Sequence, residues 1–303
     1  MNMVSIITVN FNHSHVTDDL LDSIIQFNHF SDIEVIVVDN GSTLDPVPKW
    51  QKKYPDFIFI RSQQNLGFAG GNNLGIKVAK GDLLFLVNND TIFTANLIEH
   101  LMSTLLKHPK VGIVSPKLLY FDQPNILQYA GYTSMNYFTG RNACIGQFEI
   151  DHGQYDTFEG QTGYAHGAAM MVKRSVIEKA GLMFEGFFLY YEELDWCESI
   201  KRAGFEVWVN TKASIYHKES ISVGKKTALK EYFMNRNRIL FIRRNTAWRQ
   251  KIIFYLYFLF FVGIRNCFEY LKNGNSTFFK QFFRAIWWNF TQSKNSLMLG
   301  YKQ

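Results

Sequence analysis

Through the first two thirds of the chain, short unbroken apolar runs alternate with stretches whose apolar positions recur at helical spacing. Residues 4–9, 35–38, 57–60 and 83–87 read as strands, and residues 16–27, 74–79 and 95–106 as helices. Strands alternating with helices predict βαβ units, an α/β fold with a Rossmann-like, mostly parallel sheet flanked by helices. The run Leu83-Leu84-Phe85-Leu86-Val87 has no polar position, as a strand covered on both faces requires. In open sheets of this kind ligands bind outside the carboxyl ends of the strands. Three polar loops occupy such ends, at residues 10–12, 39–42 and 88–90, and one cleft among them is expected.

The pattern changes near residue 225. Residues 252–264 are 13 apolar or aromatic residues in a row, bracketed by Arg243, Arg244, Arg249 and Lys251 on one side and Arg265 on the other. A membrane-spanning helix needs about 20 residues, so this run is too short to cross unaided. Phe278, Phe279, Phe282, Phe283, Ile286, Trp287, Trp288 and Phe290 follow, interleaved with Lys280 and Arg284. The segment therefore reads as a basic, aromatic helical extension lying on an anionic membrane surface. A buried core helix or a homodimer through these helices would use the same pattern. Charge divides at the same place: residues 225–303 carry 15 Lys and Arg against 2 acids, and residues 1–224 carry 17 against 24. A catalytic domain over 1–224 and a helical region over 225–303 are expected.

At 303 residues, 47% hydrophobic and 19% charged, the chain can bury a full core and is not a disordered polymer. Cys144, Cys197 and Cys267 have no paired spacing, so neither a disulfide framework nor a zinc site is expected, and a reducing, cytosolic setting fits. The first ten residues lack a charged leader, so no cleavable signal peptide is expected.

Candidate chemistry sits in the polar loops. Asp39 follows four β-branched residues and needs a partner there. An acid at this position of a nucleotide-binding α/β fold accepts from a ribose hydroxyl or a base N–H, although Asp39-Asn40-Gly41-Ser42 is equally turn chemistry. Residues 65–75 match neither G-x-G-x-x-G after a strand nor a loop ending in Lys-Ser/Thr, which disfavours dinucleotides and ATP. Their glycines suit close backbone approach to a ligand or a tight turn into a helix, with Asn72 and Asn73 at its start. Asn88-Asn89-Asp90 offers hard oxygen donors for Mg²⁺ or Mn²⁺ carrying a diphosphate, or else caps the next helix. Glu192, Glu193 and Asp195 crowd three acids into four positions behind the aromatic run 187–191, unlike a merely solvated helix start. A carboxylate in such a pocket, its pKa raised by neighbouring acids, can take a proton from a hydroxyl.

In order and spacing, Val9-Asn10-Phe11-Asn12, Val37-Val38-Asp39-Asn40-Gly41-Ser42, residues 65–75 and Asn88-Asn89-Asp90 resemble the family 2 inverting glycosyltransferases of the GT-A fold. The nearest match is the rhamnosyltransferase-like branch. Gly163-Tyr164-Ala165-His166-Gly167, the segment 187–197 and Ile215-Tyr216-His217-Lys218-Glu219-Ser220 extend the resemblance over about residues 3–220. It implies a nucleotide-sugar site built from Val9, Asn10, Asn12, Asp39, Asn40, Gly67, Gly70, Asn72, Asn88 and Asn89. It also implies Asp90 and His217 as ligands of Mg²⁺ or Mn²⁺. Asn88 stands where many members have Asp, and a neutral amide is a poorer cation ligand, so Asn88 is expected to touch sugar, ribose or water and metal dependence stays open. Glu193 stands at the position of the family's catalytic Asp and is the expected base. Glu192, Asp195 and His166 are expected beside the acceptor or supporting that base, although a satisfied loop histidine is the alternative for His166. Lys218, Lys225 and Lys226 would neutralise the leaving diphosphate or form a solvated basic loop.

The reaction so implied moves a sugar, rhamnose by analogy with the branch, from a UDP- or dTDP-linked donor to a hydroxyl of a surface-polysaccharide or lipid-linked glycan precursor. Its place would be the cytoplasmic face of the cell membrane. Two other readings are a glycosyltransferase-like scaffold without activity and a nucleic-acid-binding module using the basic tail. The second leaves Asp39, Asp90 and Glu193 unexplained, and no nucleic-acid partner is expected.

Overall fold

The computed structural model describes residues 3–219 and 227–301. Its elements are β1 (Val4–Asn10), α1 (Ser14–Phe27), β2 (Ile33–Asp39), α2 (Val47–Lys53), β3 (Ile58–Arg61), α3 (Gly67–Val78), β4 (Leu83–Val87), β5 (Thr91–Ile92), α4 (Leu97–Lys107) and β6 (Val111–Tyr120). They continue with β7 (Leu127–Tyr129), β8 (Glu159–Gln161), β9 (Ala169–Lys173), α5 (Arg174–Ala180), α6 (Glu192–Arg202), β10 (Glu206–His217), α7 (Ala228–Asn245), α8 (Trp248–Tyr257), α9 (Ile264–Lys272) and α10 (Ser276–Thr291). Every strand inferred from an apolar run is present, with ends shifted by a residue or two.

β4 is apolar throughout because it is central: it pairs in parallel with β1 and antiparallel with β9, and all its residues are buried. The sheet runs β3-β2-β1-β4-β9-β6-β10-β5, with β7 on β6 and β8 on β10. The ladders β3-β2-β1-β4 and β6-β10 are parallel, and β9 runs against both groups. The parallel strands bring their carboxyl ends, Asn10, Asp39 and Val87, to one edge, as the βαβ reading requires.

The helix expected at 74–79 begins earlier, at Gly67, whose φ of +72° suits glycine. The glycines set how closely this helix lies on the sheet. A Cβ at Gly75 would stand 2.3 Å from Ile7 Cγ2 of β1, so any larger residue would push α3 off its strand.

The expected boundary at 224/225 lies outside the described residues. On its far side, α7 is no appendage: Ile239, Leu240, Phe241 and Ile242 share one apolar cluster with Ile7 and Leu84 of the sheet and Trp196 of α6. The 13-residue apolar run also proves to be only the middle of a longer element. α8, a π-helical turn (Phe258–Gly263) and α9 form one continuous helix, Trp248–Lys272, of 25 residues, long and apolar enough to cross a membrane. It packs on α10 through Phe258 and Phe282. Its outward stripe of Ile253, Leu256, Phe260, Ile264, Phe268 and Leu271 is exposed.

Candidate active site

The carboxyl-end loops converge through one chain of hydrogen bonds. Asn89 Nδ2 donates to Thr17 Oγ1 (3.0 Å), Thr17 Oγ1 to Asn10 Oδ1 (3.0 Å), and Asn10 Nδ2 to Asp39 Oδ1 (2.8 Å) and Ser42 Oγ (3.0 Å). The ends of β4, β1 and β2 are thereby locked to each other through α1. Asp39 is fully buried, and its charge is met from both sides. Oδ1 accepts from Asn10 and the Ser42 hydroxyl, while Oδ2 faces the Ser42 N–H at 3.3 Å and Arg61 Nε at 3.5 Å. The direct ribose or base contact expected of Asp39 is therefore not open in this conformation, because its oxygens are spent on shaping the loop.

Asn10 and Asn40 are likewise enclosed. Asn40 Nδ2 donates to Asn65 Oδ1 and Gly67 O, each at 3.1 Å, and its Oδ1 accepts the Leu66 N–H at 3.0 Å. That contact fastens the start of α3 to the end of β2. Asn12, at φ 60°, remains at the surface and holds the turn by accepting from Thr43 N (2.8 Å). Val9 is half-buried and stands against Gly71 of α3. Gly67, Gly70 and Asn72, expected at the donor, are buried within α3, and Asn72 Nδ2 donates to Phe68 O at 2.9 Å. Close approach of glycine backbone is made to the protein's own strand, loop and helix atoms.

At the end of β4, Asp90 Oδ1 lies 3.1 Å from His217 Nε2, and His217 Nδ1 lies 2.9 Å from Gln128 Oε1. The amide oxygen can only accept, so Nδ1 carries a proton and, in the neutral ring, the Nε2 lone pair faces a carboxylate. Two electron-rich atoms held this close suit a cation between them, and a hard carboxylate beside an imidazole fits Mn²⁺ or Mg²⁺ with other positions left to water and phosphate. Among the described residues no group of three or more His, Cys, Asp or Glu gathers as a metal cage, so Asp90 and His217 stand as a pair rather than as part of a larger cluster of such groups. The Asn88 side chain makes no hydrogen bond among the described residues and is half-exposed beside it. Lys218, expected near the diphosphate, is paired with Asp19 at 2.5 Å, and Lys225 and Lys226 lie outside the described residues.

His166 stands next to this pair, its ring 6.2 Å from that of His217 and stacked on Tyr132. Burial, reinforced by His217, lowers its pKa to about 3. The ring is therefore neutral. Its Nδ1 accepts the Ala168 N–H (3.1 Å), which leaves Nε2–H as a donor.

Gly167 connects the histidine to the acids. A Cβ there would touch Glu193 Cδ at 3.4 Å, so the small residue makes room for a carboxylate one methylene longer than Asp. Burial raises the Glu193 pKa to about 7, and backbone N–H groups of Glu193 and Leu194 at the start of α6 pull it partly back. The driving cause is desolvation rather than the neighbouring acids expected from sequence. Glu192 lies deeper, 1% exposed, its Oε1 without a partner. Burial, then the charge of Glu193, pushes its pKa well above the usual carboxylate range, so Glu192 keeps its proton when Glu193 has lost its own.

Asp195 does something else. It is 2% exposed, and Arg244 grips it bidentately (Nε–Oδ1 3.0 Å, Nη2–Oδ2 3.1 Å), with Asn245 Nδ2 adding 2.7 Å to Oδ1. Its oxygens are saturated, so it ties α6 to α7 rather than meeting an acceptor. The loop before α6 is strained, with φ of 68°, 69° and 75° at Phe188, Tyr190 and Tyr191. Asn237 Nδ2 of α7 holds it by donating to Phe187 O (3.0 Å), Leu189 O (2.7 Å) and Tyr190 O (2.9 Å). Arg236, fully buried, donates to Gly186 O and Phe187 O of the same loop. Sequence reading missed Gln128, Thr17, Asn237 and Arg244, because polar residues inside helices and a weak strand carry no motif.

The mixed, parallel-centred sheet with polar loops at its carboxyl ends has the GT-A-type fold. The glycosyl transferase family 2 model matches residues 5–181, and the chain belongs to that family of enzymes. A low-salt glycan biosynthesis hexosyltransferase of Haloferax volcanii is 26% identical over 243 residues, 78% of this chain and 74% of the relative. An N-acetylglucosaminyl-diphospho-decaprenol L-rhamnosyltransferase of Mycobacterium tuberculosis is 21% identical over 237 residues, 71% of this chain and 76% of its own. The fold is shared with a mannosyltransferase of Pyrobaculum calidifontis solved with GDP-Man and Mn²⁺, at TM-score 0.57 and 18% identity, covering 96% of this chain and 76% of that one. It is also shared with GalNAc-T7 solved with UDP, GalNAc and Mn²⁺, at TM-score 0.63 and 13% identity, covering 80% and 48%.

Proposed function

We propose that the protein is an inverting hexosyltransferase that moves a sugar from a UDP- or dTDP-linked donor to a hydroxyl of a lipid-linked or polysaccharide glycan precursor. Glu193 carries the reading: it is a carboxylate with a pKa of about 7, beside a small residue and a neutral histidine. It takes the acceptor hydroxyl's proton as that oxygen bonds to the anomeric carbon, and the bond to the diphosphate breaks on the opposite face. His166 Nε2–H orients the acceptor. The nucleotide end lies against the loops of Asn12 and Asp39, and Asn88 faces the sugar or ribose. Asp90 and His217 would hold Mn²⁺ or Mg²⁺, which when bound supplies positive charge to the departing diphosphate. The names of the two relatives support glycan assembly, and the mycobacterial one supports rhamnose and a lipid diphosphate acceptor.

Thermal melting with UDP- and dTDP-sugars, with and without Mn²⁺, tests donor and metal together. One donor class at 100 times its Kd stabilises by about 2.7 kcal/mol, with the gain reduced by chelation or by Asp90→Asn. No shift from any nucleotide sugar contradicts the proposal.

The exposed stripe of the helix Trp248–Lys272 is proposed to lie on the cytoplasmic face of the membrane, where a lipid-linked acceptor is anchored. The full chain is expected to float with anionic liposomes, and Leu256→Glu with Phe260→Glu, both at exposed positions, to abolish flotation. Equal flotation of both proteins contradicts this placement, and a homodimer through the same helices would leave the wild type unfloated and dimeric.

A further inference from the structure

Phe188, Tyr190 and Tyr191, in the loop before α6, all hold positive φ angles, and strain of this kind persists only where the surroundings fix the backbone from several sides. Asn237 and Arg236 of α7 fix it from one side. Residues 292–301 fix it from another. This segment after α10 forms neither helix nor strand, so its carbonyls need partners outside any ladder, and side chains of the helical framework supply them. Tyr232 Oη of α7 donates to Leu299 O (2.9 Å), and Trp288 Nε1 of α10 to Met298 O (2.9 Å). Arg244 Nη1 donates to Lys294 O (3.2 Å), while the same guanidinium grips Asp195 of α6.

From the segment, contacts pass on to the loop. Ser296 O lies so near Gly186 that a Cβ there would stand 2.7 Å from it. The Tyr301 ring lies 5.4 Å from that of Tyr232 and 5.9 Å from that of Phe233, and Phe233 stacks on Phe188 at 5.3 Å. Leu299 and Tyr301 accordingly share one apolar cluster with Phe188, Leu189 and Tyr190 of the loop. Arg284 of α10 stands over both the Tyr232 and Tyr301 rings, 5.8 Å from each centroid. Gly300, at φ 69°, has to be small: a Cβ would stand 2.3 Å from Trp288 Cδ1 and 2.5 Å from Tyr232 Oη.

We propose that residues 292–301 are a strap whose hold on Gly186 and, through Phe233, on Phe188 sets the loop and the start of α6, and with them the place of the Glu193 carboxylate against the acceptor hydroxyl. The strap is a positioning element of the reaction. Fastened to α7 and α10 alone, it would serve stability only; its contacts with the loop carry its effect to the base. The effect on Glu193 rests on the transferase reading above, whereas the hold on the loop does not.

Gly300→Ala and Tyr301→Ala loosen the strap at an exposed and a half-buried position, and Tyr301→Phe keeps the ring. Melting curves show that the full-length variants are folded. Amide hydrogen exchange of residues 186–194 is expected to quicken by about tenfold or more in both alanine variants, while exchange in β4 stays as in the wild type. In the same variants kcat should fall by about ten- to a hundredfold with the Kd of the donor unchanged. The rise of kcat/KM should move below about pH 7 as water reaches the carboxylate. Tyr301→Phe is expected to keep the wild-type exchange, rate and profile. Unchanged loop exchange or wild-type kcat in folded Gly300→Ala overturns the proposal, as does an equal loss in Tyr301→Phe. A wild type that moves no sugar contradicts the transferase reading instead, and loop exchange alone then decides whether the strap holds.

Discussion

Glu193→Gln is expected to slow sugar transfer by about 10²- to 10⁴-fold while leaving nucleotide-sugar binding unchanged. The substitution keeps shape and removes only the ability to take a proton. The neighbouring Glu192 cannot substitute, since it is buried with its proton on. Asp195 cannot either, because Arg244 and Asn245 saturate it. The variant carries a second signature. Because burial raises the folded-state pKa of Glu193 to about 7, its contribution to stability is present below the ordinary carboxylate range and is lost as pH rises through about 7. Glutamine stays neutral, so the variant should melt above the wild type at alkaline pH and close to it at pH 4. Steady-state kinetics and melting curves check both, and retained turnover would move the proton to another group.

Asp195→Ala is expected to cost about 3 to 5 kcal/mol, the effect of removing one member of a buried ion pair. Arg244, its side chain 17% exposed, would keep its charge without its bidentate partner, and Asn245 would lose its 2.7 Å contact. These bonds tie α6 to α7, and α7 in turn holds the strained loop that aims Glu193. Turnover should therefore fall with stability even though Asp195 touches no reactant. Urea unfolding followed by circular dichroism measures the loss, and a change below about 1 kcal/mol would reduce the pair to a surface ion pair.

What was legible in the sequence followed backbone physics. β4 shows as five apolar residues because both its faces are covered, and the loops after β1, β2 and β4 follow from parallel pairing. The glycines of α3 were visible but their use was not: Gly75 answers to Ile7, and no sequence pattern reports a contact across the sheet. The same limit hid the partners of the acids. Arg244 stood in a basic stretch that looked like a membrane flank, yet it serves Asp195, and Arg243 donates to Asn289 and Gln292 of the C-terminal helix and its end. The 13-residue apolar run looked too short because helix length is set by hydrogen bonding, which carries through the flanking polar residues to make 25.

The pH dependence of kcat/KM for the acceptor, at saturating donor and Mn²⁺, tests the central role of Glu193 most directly. A desolvated carboxylate acting as base predicts a rate that climbs about tenfold per pH unit below its pKa and levels off above about 7, with the rise missing from the residual activity of Glu193→Gln. A profile flat through neutrality, or the same inflection in the glutamine variant, would contradict it.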